Sequence, residues 1–373
     1  MSDETRRGLY KRRKRKLRKR VIFILIPVIL LLAVAVYATY IYVKADSTFS
    51  ESHVDDGKEK SDLREQAVDP TEDNVSILIA GVDNNDLRYH NSNPLTDTLM
   101  LATLNKDKQS VKMLSIPRDS LVYIPEAGQK RKINSAHAIG GMEATRDTVE
   151  NLLDIPVDYY VKLNFKAFID VVNAVNGITV DVPYEFKEQD SEGNANAVHL
   201  YPGEQKLNGE EALAFARTRK KDNDIERGKR QQEVIKAVVD KSVSIKSILK
   251  IDNIIDAVGS NMTTNMKFGE MKSFISYGMA GKDLDFDTYT LQGSDYWPGD
   301  AYYWKVDQTE LEKTKRMLKQ HLELETDMSS PGNNSSTSSS SNGEQAPNST
   351  GNSNGGEQSP ASGGAANSSG SAY

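Results

Sequence analysis

Several charged residues of this sequence stand at the ends of apolar segments that have the character of buried strands. Asp83 follows VSILIAGV, Asp97 precedes TLMLATLN, and Arg118 follows a segment that breaks at Pro117. Ligands of open α/β sheets bind where strands end, so we expect these three side chains to form one site. For any single Asp, an ordinary turn that its carboxylate stabilises is an equally good interpretation.

A second cluster, between residues 217 and 231, is rich in arginine. Its candidate members are Arg217, Arg219, Asp224, Arg227, Arg230 and Gln231. With Asp224 as the N-cap of a helix, the last three of these residues fall at i, i+3 and i+4 and share one helix face. Guanidinium groups bind phosphate oxygens in bidentate fashion, so the cluster favours phosphate recognition. The alternative is a solvated helix face balanced by neighbouring acidic residues.

Carboxylates beside such arginines suit one hard cation. Mg²⁺ is commonly held through one or two carboxylates while phosphate oxygens complete its shell, and Asp83 and Asp97 are the candidates. Mn²⁺ is the alternative ion. The sequence has no GxxxxGK[ST] loop, no HExxH motif among its five histidines and no cysteine. The missing motifs disfavour a nucleotide-hydrolysing motor and a zinc hydrolase. The lack of cysteine excludes thiolate chemistry.

The elements that would position these residues alternate between strands and helices. Strand patterns cover residues 75–83, 98–105, 110–119, 157–164 and 177–182. Helical spacing covers residues 142–154, 165–175, 209–217, 225–243 and 307–325. This order predicts an α/β fold with a layered, mixed β-sheet that helices cover on both faces.

The N-terminus predicts a membrane anchor. Residues 1–20 carry eleven basic and two acidic side chains, and the apolar run of 23 residues from Val21 to Val43 is long enough to span a bilayer. The positive-inside bias places the N-terminus in the cytoplasm and the remainder outside a single-pass membrane protein. A cleavable signal peptide is the alternative, but this apolar run is longer than a normal h-region.

The rest of the chain divides into three parts. Residues 44–74 are polar and aperiodic, which predicts an extracytoplasmic linker. Residues 75–328 contain the strand and helix patterns and all the candidate site residues, which predicts one folded domain, and residues 329–373 predict a disordered Ser/Gly/Asn-rich tail. The net charge of −6 combines +9 in residues 1–20 with −15 elsewhere. Nucleic-acid binding by the acidic external part is therefore not expected.

Six ordered segments together resemble the LytR-CpsA-Psr family of extracytoplasmic cell-wall glycopolymer transferases. They are ILIAGVD, TDTLMLATLN, MLSIPRDSLVYIP, KINSAHAIGG, DYYVKLNFKAFIDVVNAVNGITVDVP and GEQKLNGEEALAFARTRKKDNDIERGKRQQ, within about residues 75–325. The resemblance implies a phosphotransferase at the outer membrane face of a Gram-positive cell. Its donor would be a glycopolymer on undecaprenyl diphosphate, such as wall teichoic acid or capsular polysaccharide. The polymer would pass with one phosphate to peptidoglycan, and undecaprenyl phosphate would be released.

The resemblance also assigns roles by position. Asp83 and Asp97 match the residues of the Mg²⁺ and diphosphate site. Catalytic roles fall on Arg118, Arg217, Arg219 and Asp224, and substrate contacts fall on Lys132, Arg227 and Gln231. Arg230 is a further candidate substrate contact because of its predicted place on the same helix face as Arg227 and Gln231. The glutamine match could equally be Gln232, and the general base could be Asp224 or Asp119. Asp119 could also hold Arg118 in place or be a turn residue.

One position departs from the family pattern. The family commonly has Arg two residues before the second Asp, whereas this sequence has Leu95, so the phosphate contact of that arginine is not supplied from this position. Arg88, in the neighbouring insert, is a candidate for the missing charge. Two other functions compete with the transferase: a membrane-bound regulator or attenuator of cell-envelope genes, and a non-catalytic polyprenyl-lipid-binding module.

Overall fold

The computed structural model describes residues 32, 35–48, 50–54, 57–58, 60–83, 94–242, 262–274 and 284–324. The predicted cytoplasmic tail and the predicted disordered tail lie outside these residues, as does most of the apolar run 21–43. Its described part, from residue 35 onward, is helical. Within the described ranges, no helix is both long enough and apolar enough to cross a membrane.

From Val75 onward, the described chain contains fourteen strands, six α-helices and one 3₁₀ turn. The strands are β1 (Val75–Val82), β2 (Thr96–Asn105), β3 (Ser110–Ser115), β4 (Leu121–Ile124), β5 (Gln129–Lys132), β6 (Tyr159–Asn164), β7 (Ile178–Val182), β8 (Phe186–Glu188), β9 (Val198–Leu200), β10 (Gly203–Leu207), β11 (Met262–Thr264), β12 (Asp285–Thr290), β13 (Gly293–Tyr296) and β14 (Tyr303–Val306). The helices are α1 (Ser135–Leu153), α2 (Phe165–Ala174), α3 (Gly209–Arg217), α4 (Asp224–Ser242), α5 (Phe268–Ser273) and α6 (Gln308–Leu322), with a 3₁₀ turn at Pro125–Ala127.

Six of these strands form the central sheet in the order β11-β6-β1-β2-β3-β12. The β1/β6 and β3/β12 pairs are parallel, and the β1/β2, β2/β3 and β6/β11 pairs are antiparallel. The sheet is therefore mixed, as the sequence predicts. β7, another predicted strand, lies outside it and pairs with β10 alone.

Helices cover both faces of the sheet because its central strands are apolar on both sides. On one face, Leu78 and Leu101 pack in a core that also contains Val149 of α1 and Leu318 of α6. On the other face, Met100 and neighbouring strand residues pack with side chains of α4 and α5. The layered α/β architecture expected from the pattern of strands and helices is thus confirmed.

A third core lies beside the sheet and supports one wall of the site. Val172 of α2, Phe215 of α3 and Val234 of α4 bury their side chains there with residues of β7 and of the β8/β9 pair. α3 begins with a capping box, in which Asn208 and Glu211 each accept a backbone amide of the other. This core fixes α2, α3 and α4 against one another near the sheet edge.

Part of the predicted linker 44–74 makes specific contacts with the domain. The Arg64 guanidinium holds the buried Asp158 carboxylate at 2.9 and 2.7 Å. The Ser61 hydroxyl donates to Glu150 at 2.6 Å, and Glu150 also accepts the Val157 amide at 2.8 Å. Burial raises the pKa of Glu150, although these hydrogen bonds oppose the shift. The segment just before β1 therefore packs against the domain.

Candidate active site

The polar residues predicted at strand ends do meet at one edge of the sheet. β1 and β6 run parallel and end together at Val82 and Asn164, while β2 begins opposite Val82. β3 runs antiparallel to β2 and so ends at the same edge. A cavity of about 480 Å³ opens there. Seven of the ten predicted site residues line it, namely Asp83, Asp97, Arg118, Arg217, Arg219, Arg227 and Gln231.

Arg118 is held in place by its own turn and by a ring of carboxylates. The Ser120 amide donates to the Pro117 carbonyl at 3.0 Å, which closes the turn after β3. The guanidinium pairs with Asp97 Oδ1 at 2.5 Å, and its Nε lies 3.7 Å from both Asp119 Oδ2 and Asp224 Oδ2. Burial opposes the charge of Arg118, but these carboxylates outweigh it and raise the pKa of the guanidinium.

Asp224 lies at the centre of three arginines. Besides Arg118, its carboxylate contacts Arg219 at 3.4 Å and Arg227 at 3.3 Å, both through Oδ1. The predicted N-cap role of Asp224 is wrong. The side chain of Asn223 caps α4 by accepting the Ile225 and Glu226 amides, at 3.0 and 3.1 Å. Because the neighbouring Asn takes the cap, the Asp224 carboxylate is available to the arginines.

Arg217 and Arg227 reach the cavity from two different helices. Arg217, at the end of α3, donates to the backbone carbonyls of Gln189 and Asp190, and its guanidinium lies 5.7 Å from the Phe165 ring centroid. Arg227 is 7% exposed, and burial lowers its pKa while Asp224 opposes that shift. Helix α4 approaches β3 closely here, since a Cβ on Gly228 would lie 2.6 Å from the Ser115 hydroxyl oxygen.

Arg230 is not brought to the cavity, although the i, i+3, i+4 spacing predicted a shared face. Its Nε donates to the Phe215 carbonyl at 3.0 Å, its NH2 group donates to the Thr218 carbonyl at 2.5 Å, and it forms an ion pair with Asp222. Positions i+3 and i+4 lie about 100° apart around a helix, so Arg230 and Gln231 point to opposite sides of Arg227. The geometry gives Arg230 a structural role instead of the predicted substrate contact.

The ambiguity between the two glutamines is resolved by burial. Gln231 lines the cavity. Gln232 is 2% exposed and donates to the carbonyls of Met113 and Tyr289 at 3.0 and 2.7 Å, so it ties α4 to the sheet. Of the two candidates, Gln231 is therefore placed to contact a ligand.

Lys132 lies just outside the cavity lining. Its ammonium pairs with Asp119 Oδ1 at 2.7 Å, and Asp119 is 8% exposed. Asp119 thus joins Lys132 to Arg118, which supports the view that it orients the arginine and is more than a turn residue. Leu95 is 41% exposed, and Arg88, the candidate for the missing family arginine, lies outside the described residues.

The carboxylates at the cavity can contribute to a cation site without forming a complete one. Within the described ranges, no group of three or more His, Cys, Asp or Glu side chains could hold a metal ion. Asp83 and Asp97 both line the cavity, and Asp97 Oδ1 is already paired with Arg118. Two carboxylates fit Mg²⁺ in a site that phosphate oxygens and water complete.

The remainder of the cavity wall is largely apolar. Its apolar residues are Ile79, Ala80, Leu163, Phe165, Phe168, Leu213, Ala216 and Ile235, and Lys220 adds one further positive charge. The cavity therefore combines a polar end rich in arginine with a wall that suits a hydrocarbon chain.

Comparison with known proteins agrees with this geometry. The sequence profile of the LytR_cpsA_psr family matches residues 39–320. The polyisoprenyl-teichoic acid–peptidoglycan teichoic acid transferase TagT of Bacillus subtilis is 38% identical over 323 residues, which cover 85% of this chain and 98% of TagT. The chain belongs to the LytR_cpsA_psr family.

Two solved structures of TagT contain bound ligands and are similar to this chain. TagT bound to LIIa-WTA is similar with a TM-score of 0.63 and 38% identity, covering 72% of this chain and 98% of that structure. The structure of TagT with bound octaprenyl pyrophosphate lipid is similar to this chain, with a TM-score of 0.59 and 35% identity. The match covers 73% of this chain and 99% of that structure. The resemblance seen in the sequence is thereby confirmed.

Several residues that line the cavity of this LytR_cpsA_psr domain are not among those predicted from the sequence. Lys220 directly follows Arg219, so extending the basic cluster by one residue would have included it. The apolar lining has no comparable signal, because Leu213 and Phe168 have the same spacing as core residues of their helices. Only the fold separates the apolar side chains that face a cavity from those that fill the core.

Proposed function

We propose that this protein is a phosphotransferase that attaches a polyprenyl-diphosphate-linked anionic glycopolymer to peptidoglycan. The observation that carries the proposal is one cavity in which Asp83, Asp97 and four arginines adjoin an apolar wall. That combination suits a diphosphate esterified to a long hydrocarbon chain, since each half of the ligand meets its own kind of surface. The names of relatives such as TagT support the same donor and acceptor. Wall teichoic acid and capsular polysaccharide are both candidate polymers.

In the proposed reaction, a peptidoglycan hydroxyl oxygen, that of C6 on muramic acid, attacks the phosphorus that bears the glycan. The bond from this phosphorus to the bridging oxygen breaks, polyprenyl phosphate departs, and a phosphodiester joins glycan to peptidoglycan. Positioning and charge stabilisation supply most of the rate in phosphoryl transfer. Arg118, Arg219 and Arg227 converge on Asp224. We assign the remaining N–H groups of these arginines to the diphosphate oxygens.

Asp83 and Asp97 would hold Mg²⁺, or Mn²⁺ in its place, which when bound supplies positive charge to the diphosphate. The attacking hydroxyl must also lose its proton, and a carboxylate accepts it only if the proton leaves early. Asp224 is engaged by three guanidinium groups, so we assign it first to positioning them. Asp119, held by Lys132, is the alternative proton acceptor.

The apolar run 21–43 and the eleven basic residues before it support a single membrane anchor with the domain on the outer side. Such an anchor would keep the cavity close to a membrane-embedded lipid donor. The anchor also explains why the basic residues stand just before the apolar run, so these residues need no role in gene regulation. The tail 329–373 has no part in the proposed chemistry.

The function is tested with full-length protein in detergent, a synthetic polyprenyl-diphosphate glycan, peptidoglycan oligomers and Mg²⁺. We expect Arg118→Ala and Arg219→Ala to lower the transfer rate about 10²- to 10³-fold, the usual effect of removing one charge-stabilising group. Lys229→Ala is the matched control, because Lys229 is an exposed cation of α4 paired with Glu226. Wild-type transfer by either arginine variant would contradict the site.

The same assay separates an enzyme from a lipid-binding module. A binding module would take up the polyprenyl-diphosphate glycan without releasing polyprenyl phosphate. A transferase releases polyprenyl phosphate, and the glycan appears on the peptidoglycan oligomers.

A further inference from the structure

An aromatic pair, the exposed Trp297 and the half-buried Tyr302, marks the turn between β13 and β14. Trp297 is 62% exposed, and its ring centroid lies 5.1 Å from that of Tyr302, with the two planes at 58°. Tyr296, at the end of β13, is 37% exposed. Large aromatic side chains grouped on a surface in this way often mark a binding site.

A second hairpin extends this patch with basic side chains. In the β4/β5 pair, Val122 and Ile124 point into the core, so the opposite face of the ribbon is outward. That face carries Tyr123, which is 44% exposed, opposite Lys130, and it also carries Lys132.

Lys132 joins the two hairpins. Its ammonium lies 5.6 Å from the Tyr303 ring centroid and 6.0 Å from that of Tyr302, within the range of cation–π contact. We call the combined patch the aromatic–basic surface. Its residues are Tyr123, Lys130, Lys132, Trp297, Tyr302 and Tyr303.

The aromatic–basic surface borders the arginine centre. Lys132 pairs with Asp119 at 2.7 Å, and the Trp304 amide of β14 donates to the Asp119 carbonyl at 2.9 Å. Burial, a hydrogen bond to Asp295 and the negative charges of Asp224 and Asp119 raise the pKa of Tyr302, consistent with its place beside those carboxylates.

The position of the aromatic–basic surface relative to the cavity indicates which of the two substrates this surface would bind. The apolar wall of the cavity comes from α2, α3, α4 and the ends of β1 and β6, and none of the six surface residues contributes to it. The surface is reached from the cavity by way of Arg118 and Asp119. In-line phosphoryl transfer requires the attacking hydroxyl to approach opposite the departing lipid phosphate, so the acceptor needs a surface away from the lipid wall.

We propose that the aromatic–basic surface binds the glycan strand of the peptidoglycan acceptor, an inference that rests on the proposed function. The apolar face of a pyranose ring can pack on Trp297 and Tyr302, while its hydroxyl groups remain in water at the ring edge. Lys130 and Lys132 carry the charge that complements carboxylates of the stem peptides. The surface thus sets where the acceptor hydroxyl enters the site.

Trp297→Ala in the full-length protein tests this assignment, because Trp297 is too exposed for its loss to unfold the domain. We expect the KM for peptidoglycan oligomers to rise about tenfold while the KM for the polyprenyl-diphosphate glycan stays unchanged. Co-sedimentation with purified, insoluble peptidoglycan should weaken by a similar factor. Tyr201→Ala is the matched control, because Tyr201 is 55% exposed and stacks on His199 beyond the end of the β8/β9 pair.

The outcomes separate this inference from the proposed function. An unchanged acceptor KM with unchanged co-sedimentation would overturn the aromatic–basic surface as an acceptor site. A rise in the donor KM alone would also overturn it and assign the surface to the donor glycan. If the wild-type protein transferred nothing, yet Trp297→Ala lost peptidoglycan binding, the proposed function would fail while the binding surface stood.

Discussion

At the scale of single residues, the site depends on one carboxylate shared by three guanidinium groups. Asp224 has a side chain that is 13% exposed, and it contacts Arg118, Arg219 and Arg227 within 3.7 Å. Three cations at such distances repel one another unless a negative charge lies between them. The carboxylate therefore fixes the spacing of the arginines before any diphosphate binds.

Asp224→Asn keeps the shape of this side chain and removes its charge. We expect the transfer rate to fall about 10²-fold and the folded state to lose on the order of 1–3 kcal/mol, because Arg227 is left buried without its counter-charge. Rates, the KM for the donor and urea unfolding measure these effects. Asp240→Asn, an exposed position on α4, is the control. An Asp224→Asn variant with wild-type rate and stability would show that the carboxylate does not organise the arginines.

Arg230 gives the opposite expectation, because its guanidinium is used within the fold. It links the carbonyls of Phe215 and Thr218 to the Asp222 carboxylate, and the residue is 5% exposed. Arg230→Ala should lower the free energy of unfolding by about 3 kcal/mol, since it leaves Asp222 and two carbonyls unpaired. The KM of the remaining folded protein for the donor should stay near that of the wild type. A raised donor KM without loss of stability would restore the predicted substrate contact.

At the scale of elements, α6 is joined to the central sheet by a buried histidine. His321 is 4% exposed, and its Nδ1 and Nε2 lie 2.8 Å from the Thr103 hydroxyl of β2 and 2.9 Å from the Ser110 hydroxyl of β3. Burial, with help from Lys112 and Lys108, lowers the pKa of His321 from 6.5 to about 4. The packed helix therefore requires the neutral ring.

This shift predicts how stability depends on pH. Between pH 6.5 and about 4 the unfolded chain binds a proton at His321 and the folded chain does not, so the free energy of unfolding should fall as the pH falls through that window. The full contribution is on the order of 3 kcal/mol. Urea unfolding of His321→Gln should show a flatter dependence over the same range, whereas His199→Gln, on the surface, should retain it. Equal slopes for all three proteins would rule out His321 as the source.

At the scale of the whole molecule, the strand and helix pattern predicted the layers of the fold and the edge at which the site lies. Buried strands that end in Asp83 and Arg118 can be read from the sequence, because apolar runs and polar breaks are local features. The N-cap of α4 and the direction of Arg230 could not, since they depend on which neighbour takes the cap and on where α3 ends. The apolar wall of the cavity also required the fold, because its residues have the same pattern as core residues.

The proposed reaction exchanges one diphosphate bond for one phosphodiester bond. The most direct measurement uses a polyprenyl-diphosphate glycan labelled at the phosphate next to the glycan, incubated with the full-length protein, peptidoglycan oligomers and Mg²⁺. Mass spectrometry should find the labelled phosphate in the new glycan–peptidoglycan bond, with one unlabelled polyprenyl phosphate released for each bond formed. Label recovered only as free phosphate or on the polyprenyl product, or transfer without polyprenyl phosphate, would contradict it.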